Sequence, residues 1–160
     1  MNAVRVKRFR DNLKECVEIM LTGSCLCGQI QYQLAGAPIF LNHCHCTMCR
    51  KASGAAFGSF LHADGRQFAW TAGQELIETW QSSPGNFRPF CKVCGSRVPV
   101  LEEDGAHVII PAGTLDQDPA VRPIVHFHVQ SKAPWYTMTD GIEQYPQFPP
   151  AEFWVKHGIE

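Results

Sequence analysis

The segment His43-Cys44-His45-Cys46-Thr47-Met48-Cys49-Arg50 decides how this chain is organised, because it places three thiols within six residues. Its C-x-C-x-x-C spacing brings three sulfur ligands close enough to hold one metal ion. Zinc binds thiolate sulfur at about 2.3 Å, and catalytic zinc sites typically have three protein ligands and leave a fourth position for water or substrate. The segment therefore predicts an open, chemically active metal site on Cys44, Cys46 and Cys49.

Two further cysteine pairs flank this segment, Cys25 with Cys27 upstream and Cys91 with Cys94 downstream. Neither pair can fill a tetrahedral shell alone, but together they supply four ligands, so we predict a closed, structural zinc site. Buried thiols or disulfides are the simpler alternative, although a C-x-C disulfide is strained and a reducing compartment would break it. Iron–sulfur ligation stays open for a set made only of thiolates. The eighth cysteine, Cys16, belongs to no pair and is predicted to be a small apolar residue on a helix.

The composition of the chain excludes several classes of partner. The 160 residues suffice for one domain, and 14 Lys and Arg balance 15 Asp and Glu, so no overall field attracts nucleic acid or an anionic membrane. No apolar run approaches the roughly 18 residues of a membrane span. Metal-type cysteine spacings without an apolar leader segment predict a reducing, cytoplasmic location.

Short extended segments dominate the rest of the sequence. They alternate in hydrophobicity or end at Gly, Pro, Asp or Ser, and helical periodicity is almost absent, so we predict a mainly β fold of small packed antiparallel sheets tied by zinc. The predicted strands are 30–34, 57–61, 75–80, 87–90, 97–101, 107–110 and 124–129. We expect a helical N-terminal extension over residues 1–19, a metal-binding domain over 20–150 and a C-terminal tail over 151–160.

Several polar residues near the cysteines need separate interpretation. His43 and His45 alternate with Cys44 and Cys46, so they point to the opposite face and are predicted to lie at the surface or to support the site rather than bind its metal. His126 and His128 are expected to share one strand face as an exposed or hydrogen-bonded pair. Two cations, Arg50 and Lys51, directly follow Cys49. Those two positive charges would offset the thiolates or meet a substrate carboxylate, unless they are simply solvated.

Other metal-enzyme classes lack their motifs here. The sequence contains no H-x-E element of a zinc deaminase and no H-E-x-x-H helix of a metalloprotease. A thioredoxin-like role for Cys91 and Cys94 would require a βαβ context, which the strand-rich pattern does not provide. Hydrolytic and dithiol redox chemistry are therefore not indicated.

Four motifs together resemble the glutathione-dependent formaldehyde-activating enzyme family, which includes centromere protein V. They are Gly23-Ser24-Cys25-Leu26-Cys27-Gly28, His43-Cys44-His45-Cys46-Thr47-Met48-Cys49-Arg50-Lys51, Phe90-Cys91-Lys92-Val93-Cys94-Gly95-Ser96 and Ser131-Lys132-Ala133-Pro134-Trp135. The resemblance implies an Mss4-like fold, a structural zinc on the first and third motifs and a catalytic zinc on the second. It also implies a carbon–sulfur lyase that joins glutathione and formaldehyde to form S-(hydroxymethyl)glutathione.

Two functions remain in view from the sequence. The first is a zinc enzyme acting on a small thiol or thiol adduct, with glutathione as the candidate partner. The second is a non-catalytic, zinc-stabilised protein-binding module of Mss4-like fold. The motifs encode metal ligands and no substrate contacts, so the sequence does not separate the two.

Overall fold

The computed structural model describes residues 20–159, which form eleven strands and two α-helices. The strands are β1 Met20–Ser24, β2 Gln31–Ala35, β3 Phe40–Cys44, β4 Gly58–Asp64, β5 Phe68–Ala72, β6 Ile77–Ser83, β7 Asn86–Cys91, β8 Val100–Leu101, β9 His107–Pro111, β10 Pro123–Phe127 and β11 Glu143–Gln144. The helices are α1 Thr47–Ser53 and α2 Ala151–Lys156. The predicted N-terminal helix and Cys16 lie outside the described residues. None of the helices in the described part is long and apolar enough to cross a membrane.

The strands form three sheets. The largest has the order β11-β10-β3-β4-β9-β8, a second has the order β1-β2-β5, and β6 and β7 form a two-stranded ribbon. Most pairs are antiparallel, which confirms the predicted mainly β class. The exception is β10, which pairs in parallel with both β3 and β11. A parallel pair requires a long crossover connection, and the chain between β3 and β10 is long enough to provide one.

The main core lies between the two larger sheets. Tyr32 and Leu34 of β2 are buried, while Gln33 between them is only half-buried, as the two-residue period of a strand requires. They pack in one cluster with Leu61 of β4 and Ile110 of β9. This shared apolar layer fixes the position of β3, the strand that carries Cys44.

A second core cluster surrounds the central cysteines and includes the end of the chain. Phe40, Phe60 and Phe127 pack with Cys44 and Cys49, and the cluster is completed by Val125 and by the 3%-exposed Phe153 of α2. The segment predicted as a tail thus contains a helix that covers part of this core. Six helical residues with one buried side chain carry too little periodicity to be recognised in the sequence.

Local sequence pattern was sufficient to predict some of the strands but not others. Most of the predicted strands are present, with boundaries shifted by one to three residues. The strands β1, β3, β5 and β11 and the helix α1 were not predicted. The helix α1 begins directly after Cys46 and spans only seven residues, again too short for periodicity to reveal. The domain boundaries stay predictions.

Candidate metal centres

Four cysteine sulfurs meet at the junction between the β1–β2 turn and the end of β7. Every pair among Cys25, Cys27, Cys91 and Cys94 lies within 4.8 Å. The Sγ atoms of Cys25 and Cys27 are 3.4 Å apart, and those of Cys27 and Cys91 are 3.9 Å apart although 64 positions separate them in sequence. Tetrahedral zinc with bonds of about 2.3 Å would separate its sulfurs by about 3.8 Å, so the four thiols fit such an ion.

Two similar turns present these sulfurs. The Gly28 amide donates to the Cys25 carbonyl and the Gly95 amide to the Cys91 carbonyl, both at 2.8 Å. Both glycines have φ of +74°, a left-handed conformation that other residues adopt at a cost. The Ile30 amide also donates to the Cys25 sulfur at 3.3 Å, which favours its thiolate. The glycine that follows each of these two cysteine pairs is therefore required by the geometry of the turn.

The four clustered thiols compete for negative charge. Hydrogen bonds from Ser96 lower the pKa of Cys94 to about 5. The pKa of Cys27 rises to about 12 although the Gln29 amide favours its thiolate, because the neighbouring Cys25 opposes a second negative charge. Full ionisation of this group therefore requires a bound cation, which supports its interpretation as a closed metal site.

The three central sulfurs converge at the junction of β3 and α1. Cys44 ends β3, Cys46 is the N-cap of α1, and Cys49 lies in its first turn. All three sulfurs lie within 4.8 Å of one another. The Cys46 sulfur accepts a hydrogen bond from the Cys49 amide at 3.3 Å, as an N-cap side chain does. The change from strand to helix places the i, i+2 and i+5 positions on one side.

The thiols of the three-thiol group also differ in how readily they ionise. Hydrogen bonding with Cys44 and Cys46, together with the positive charge of Arg88, lowers the pKa of Cys49 to about 5 despite its burial. The same hydrogen bond and burial raise the pKa of Cys44. Of these two thiols, Cys49 is the one whose surroundings favour the thiolate.

A cavity of about 1110 Å³ opens next to two of these three thiols. Cys44 and Cys49 line it together with Phe60 and two cations, Arg88 and Arg97. The sequence analysis proposed Arg50 and Lys51 for the charge near the thiolates, but neither lines this cavity. Arg88 and Arg97 were missed because their proximity depends on β7 and the Cys91–Cys94 turn folding against β3. Their position on either side of that cysteine pair was the available signal.

The histidines near the central cysteines belong to a separate buried chain. Asp140 accepts from His126 Nε2 at 3.0 Å, and His126 Nδ1 lies 2.8 Å from His45 Nε2. His45 and His126 are fully buried, so of the two expected alternatives for His126, exposed or hydrogen-bonded, the hydrogen-bonded one is confirmed. His128 follows the end of β10 in a left-handed conformation, with φ of +57°, and does not share its face. His43 instead contacts the Ser59 hydroxyl at 2.9 Å.

The fold and the two thiol groups define a small, mainly β protein with one group of four sulfurs and one group of three that could each hold a metal ion. Residues 20–131 match the family of glutathione-dependent formaldehyde-activating enzymes, and the chain belongs to that family. The resemblance seen in the sequence is thereby confirmed.

The first of two further comparisons agrees with this assignment. A Halomonas elongata protein, described as a candidate glutathione-dependent formaldehyde-activating enzyme, is 28% identical over 157 residues, which cover 89% of this chain and 99% of the relative. A structural-genomics crystal structure of a Rhodobacter sphaeroides protein superposes with a TM-score of 0.50 over 64% of this chain and 91% of its own, at 18% identity. The second comparison supports the fold alone.

Proposed function

We propose that this protein is a zinc-dependent carbon–sulfur lyase resembling S-(hydroxymethyl)glutathione synthase, which adds a small thiol, with glutathione as the leading candidate, to formaldehyde. The observation that carries this proposal is the contrast between the two thiol groups. The four-thiol group is complete and lies at a chain junction, whereas the three-thiol group has two members in the wall of a large cavity. Within the described residues, no fourth side chain of ligand type joins the three. The family to which the chain belongs agrees with this assignment.

The seven thiols then have two roles. Cys25, Cys27, Cys91 and Cys94 would hold a structural zinc, and Cys44, Cys46 and Cys49 a catalytic zinc. A metal ion held by the second group would favour the thiolate form of a substrate thiol at neutral pH. Three thiolates favour a soft sulfur ligand over water activated for hydrolysis, which is why we propose thiol chemistry.

The reaction balances without a further cofactor. The substrate thiol loses its proton to solvent, and its sulfur attacks the carbon of formaldehyde, so that a carbon–sulfur bond forms. The π electron pair of the carbonyl moves to oxygen, which takes a proton from water. The cavity serves to hold the two reactants together, which makes the encounter effectively intramolecular. Its volume exceeds the roughly 300–1,000 Å³ of typical ligand pockets, so a tripeptide thiol fits by size.

The test is the rate of adduct formation from glutathione and formaldehyde. We expect acceleration by the zinc-loaded protein, loss of that acceleration in metal-stripped protein and in Cys46→Ser, and recovery when zinc is restored to the wild type. Cys16→Ser is the matched control, because it removes the one cysteine outside the three motifs. Rates equal to the uncatalysed background for all proteins would contradict the enzymatic proposal and leave the zinc-stabilised binding module. Free thiolates also require a reducing compartment, and we propose a cytoplasmic location.

A further inference from the structure

Arg97 has an unusual environment in the cavity beside the three thiols. Its Nε and Nη1 atoms are buried and have no hydrogen-bond partner among the residues that the structure describes. A buried guanidinium nitrogen without an acceptor costs free energy, and proteins rarely leave one in that state. Arg97 is half-buried and lines the same cavity as Cys44 and Cys49, so its positive charge faces the space available to a substrate.

The surrounding structure holds this side chain in place. The Arg97 guanidinium carbon lies 5.0 Å from the centre of the Phe60 ring, which suits a cation–π contact. Its backbone forms a bridge with Phe90 of β7, directly beside the Cys91–Cys94 turn. Arg88, on the same strand, also lines the cavity. Both arginines are thus carried by the segment that the four-thiol group ties down.

The charges in the cavity leave room for an anion. Three thiolates around a divalent ion carry one net negative charge, and Arg88 and Arg97 together contribute two positive charges. One positive charge therefore remains without a partner. Glu102 and Glu103 also line the cavity, but both are exposed, so solvent and salt screen their charges. A guanidinium pairs best with a carboxylate, whose planar geometry it matches.

We propose that Arg97, assisted by Arg88, binds a carboxylate of the substrate, so that the cavity selects anionic thiols over neutral ones. This inference rests on the proposed function, because it takes the three-thiol group as the position of the substrate sulfur. Arg97 is then a substrate-binding residue that determines specificity.

The experiment compares two thiols of the same size and different charge. Binding of 3-mercaptopropionate and of 3-mercaptopropionamide to the zinc-loaded full chain is measured by titration calorimetry. We expect the anionic thiol to bind about tenfold to a hundredfold more tightly, the range of a charged hydrogen bond. Arg97→Gln should reduce this ratio towards one and leave the affinity for the amide unchanged, while Arg97→Lys should keep part of it. Arg66→Gln is the matched control, because Arg66 is exposed and paired with Asp64.

Other outcomes separate this proposal from the proposed function. Equal affinities for the two thiols in the wild type, or equal losses for both in Arg97→Gln, would overturn it; the second result would mean that Arg97 only offsets the thiolate charge. S-methylglutathione, which has carboxylates and no free thiol, tests the anion site alone. Binding that Arg97→Gln abolishes would support the anion site even if no adduct formed with formaldehyde. Absence of binding by this compound and by both thiols would overturn it.

Discussion

At the scale of single residues, His62 is held in its neutral form by its neighbours. Its ring stacks on Phe40 with centroids 4.1 Å apart, and its Nε2–H donates to Asn42 Oδ1 at 2.8 Å. Its Nδ1 then accepts from His107 Nε2 at 3.0 Å. Burial, and secondly the charge of His107, lower the pKa of His62 from 6.5 to about 3. A proton on His62 would therefore oppose folding.

The lowered pKa of His62 makes the stability of the folded protein depend on pH. The unfolded chain binds the proton at about pH 6.5 and the folded chain only near pH 3, so the unfolding free energy falls as pH is lowered through this window. The contribution of His62 is about 1.4 kcal/mol per pH unit. His62→Gln keeps the hydrogen-bonding capacity without the titration, so its stability should fall less steeply than the wild type's in urea unfolding between pH 6.5 and 4. His157→Gln, at the end of α2, should retain the steep fall, and parallel curves for His62→Gln and wild type would contradict the assignment.

At the scale of secondary-structure elements, α2 tests whether the end of the chain is structural. Phe153 is 3% exposed and packs on Tyr145 with ring centroids 5.5 Å apart, in the cluster that contains Cys44 and Cys49. Truncation of a buried phenylalanine side chain loses its favourable transfer free energy and also leaves a cavity. The helix α2 therefore packs against the core around the three-thiol group, although it carries no metal ligand.

We expect Phe153→Ala to reduce the unfolding free energy by about 3–5 kcal/mol. Val155 lies two residues later and is 80% exposed, so Val155→Ala should change it by less than about 0.5 kcal/mol. Urea unfolding of the zinc-loaded proteins measures both. If the two variants were equally stable, α2 would be a peripheral helix and the packing seen here would not contribute to stability.

At the scale of the whole molecule, the two thiol groups differ in the length of chain that they close. The four-thiol group joins Cys27 to Cys91 across 64 positions, whereas the three-thiol group lies within a single strand–helix junction. When a metal site joins distant segments of the chain, the free energy of metal binding contributes to the free energy of folding. The four-thiol group also positions the segment that carries Arg88 and Arg97. A metal ion at the four-thiol group is expected to stabilise the cavity beside the three-thiol group as well.

We therefore expect Cys94→Ser and Cys46→Ser to fail in different ways. Cys94→Ser should unfold at a much lower temperature or fail to fold, and any folded fraction should lose the preference for anionic thiols. Cys46→Ser should remain folded with one zinc fewer and a melting temperature close to that of the wild type. Metal analysis and thermal unfolding of the two variants measure this difference. Equal losses of thermal stability would show that the division into a structural and a chemical group is wrong.

The sequence by itself determined the class of the protein and the two thiol groups. Each C-x-C or C-x-x-C spacing brings its own sulfurs together through one turn of backbone. The joining of the two distant pairs was predicted for another reason, because neither pair fills a tetrahedral shell alone. The strand β2, in which apolar and polar residues alternate, was recognisable from a local pattern as well. The family match carried by these motifs was therefore available from the letters alone.

Only the tertiary structure decided what surrounds the three thiols. Arg97 is 48 positions from Cys49, and the Asp140–His126–His45 chain joins three separate segments, so no local pattern could place them together. The parallel pairing of β10 with β3 and the packing of Phe153 are likewise contacts between distant residues. Such contacts depend on the free energy of the whole packed core rather than on the spacing of neighbouring side chains. For that reason the cysteines were predictable from sequence, and the cavity with its arginines was not.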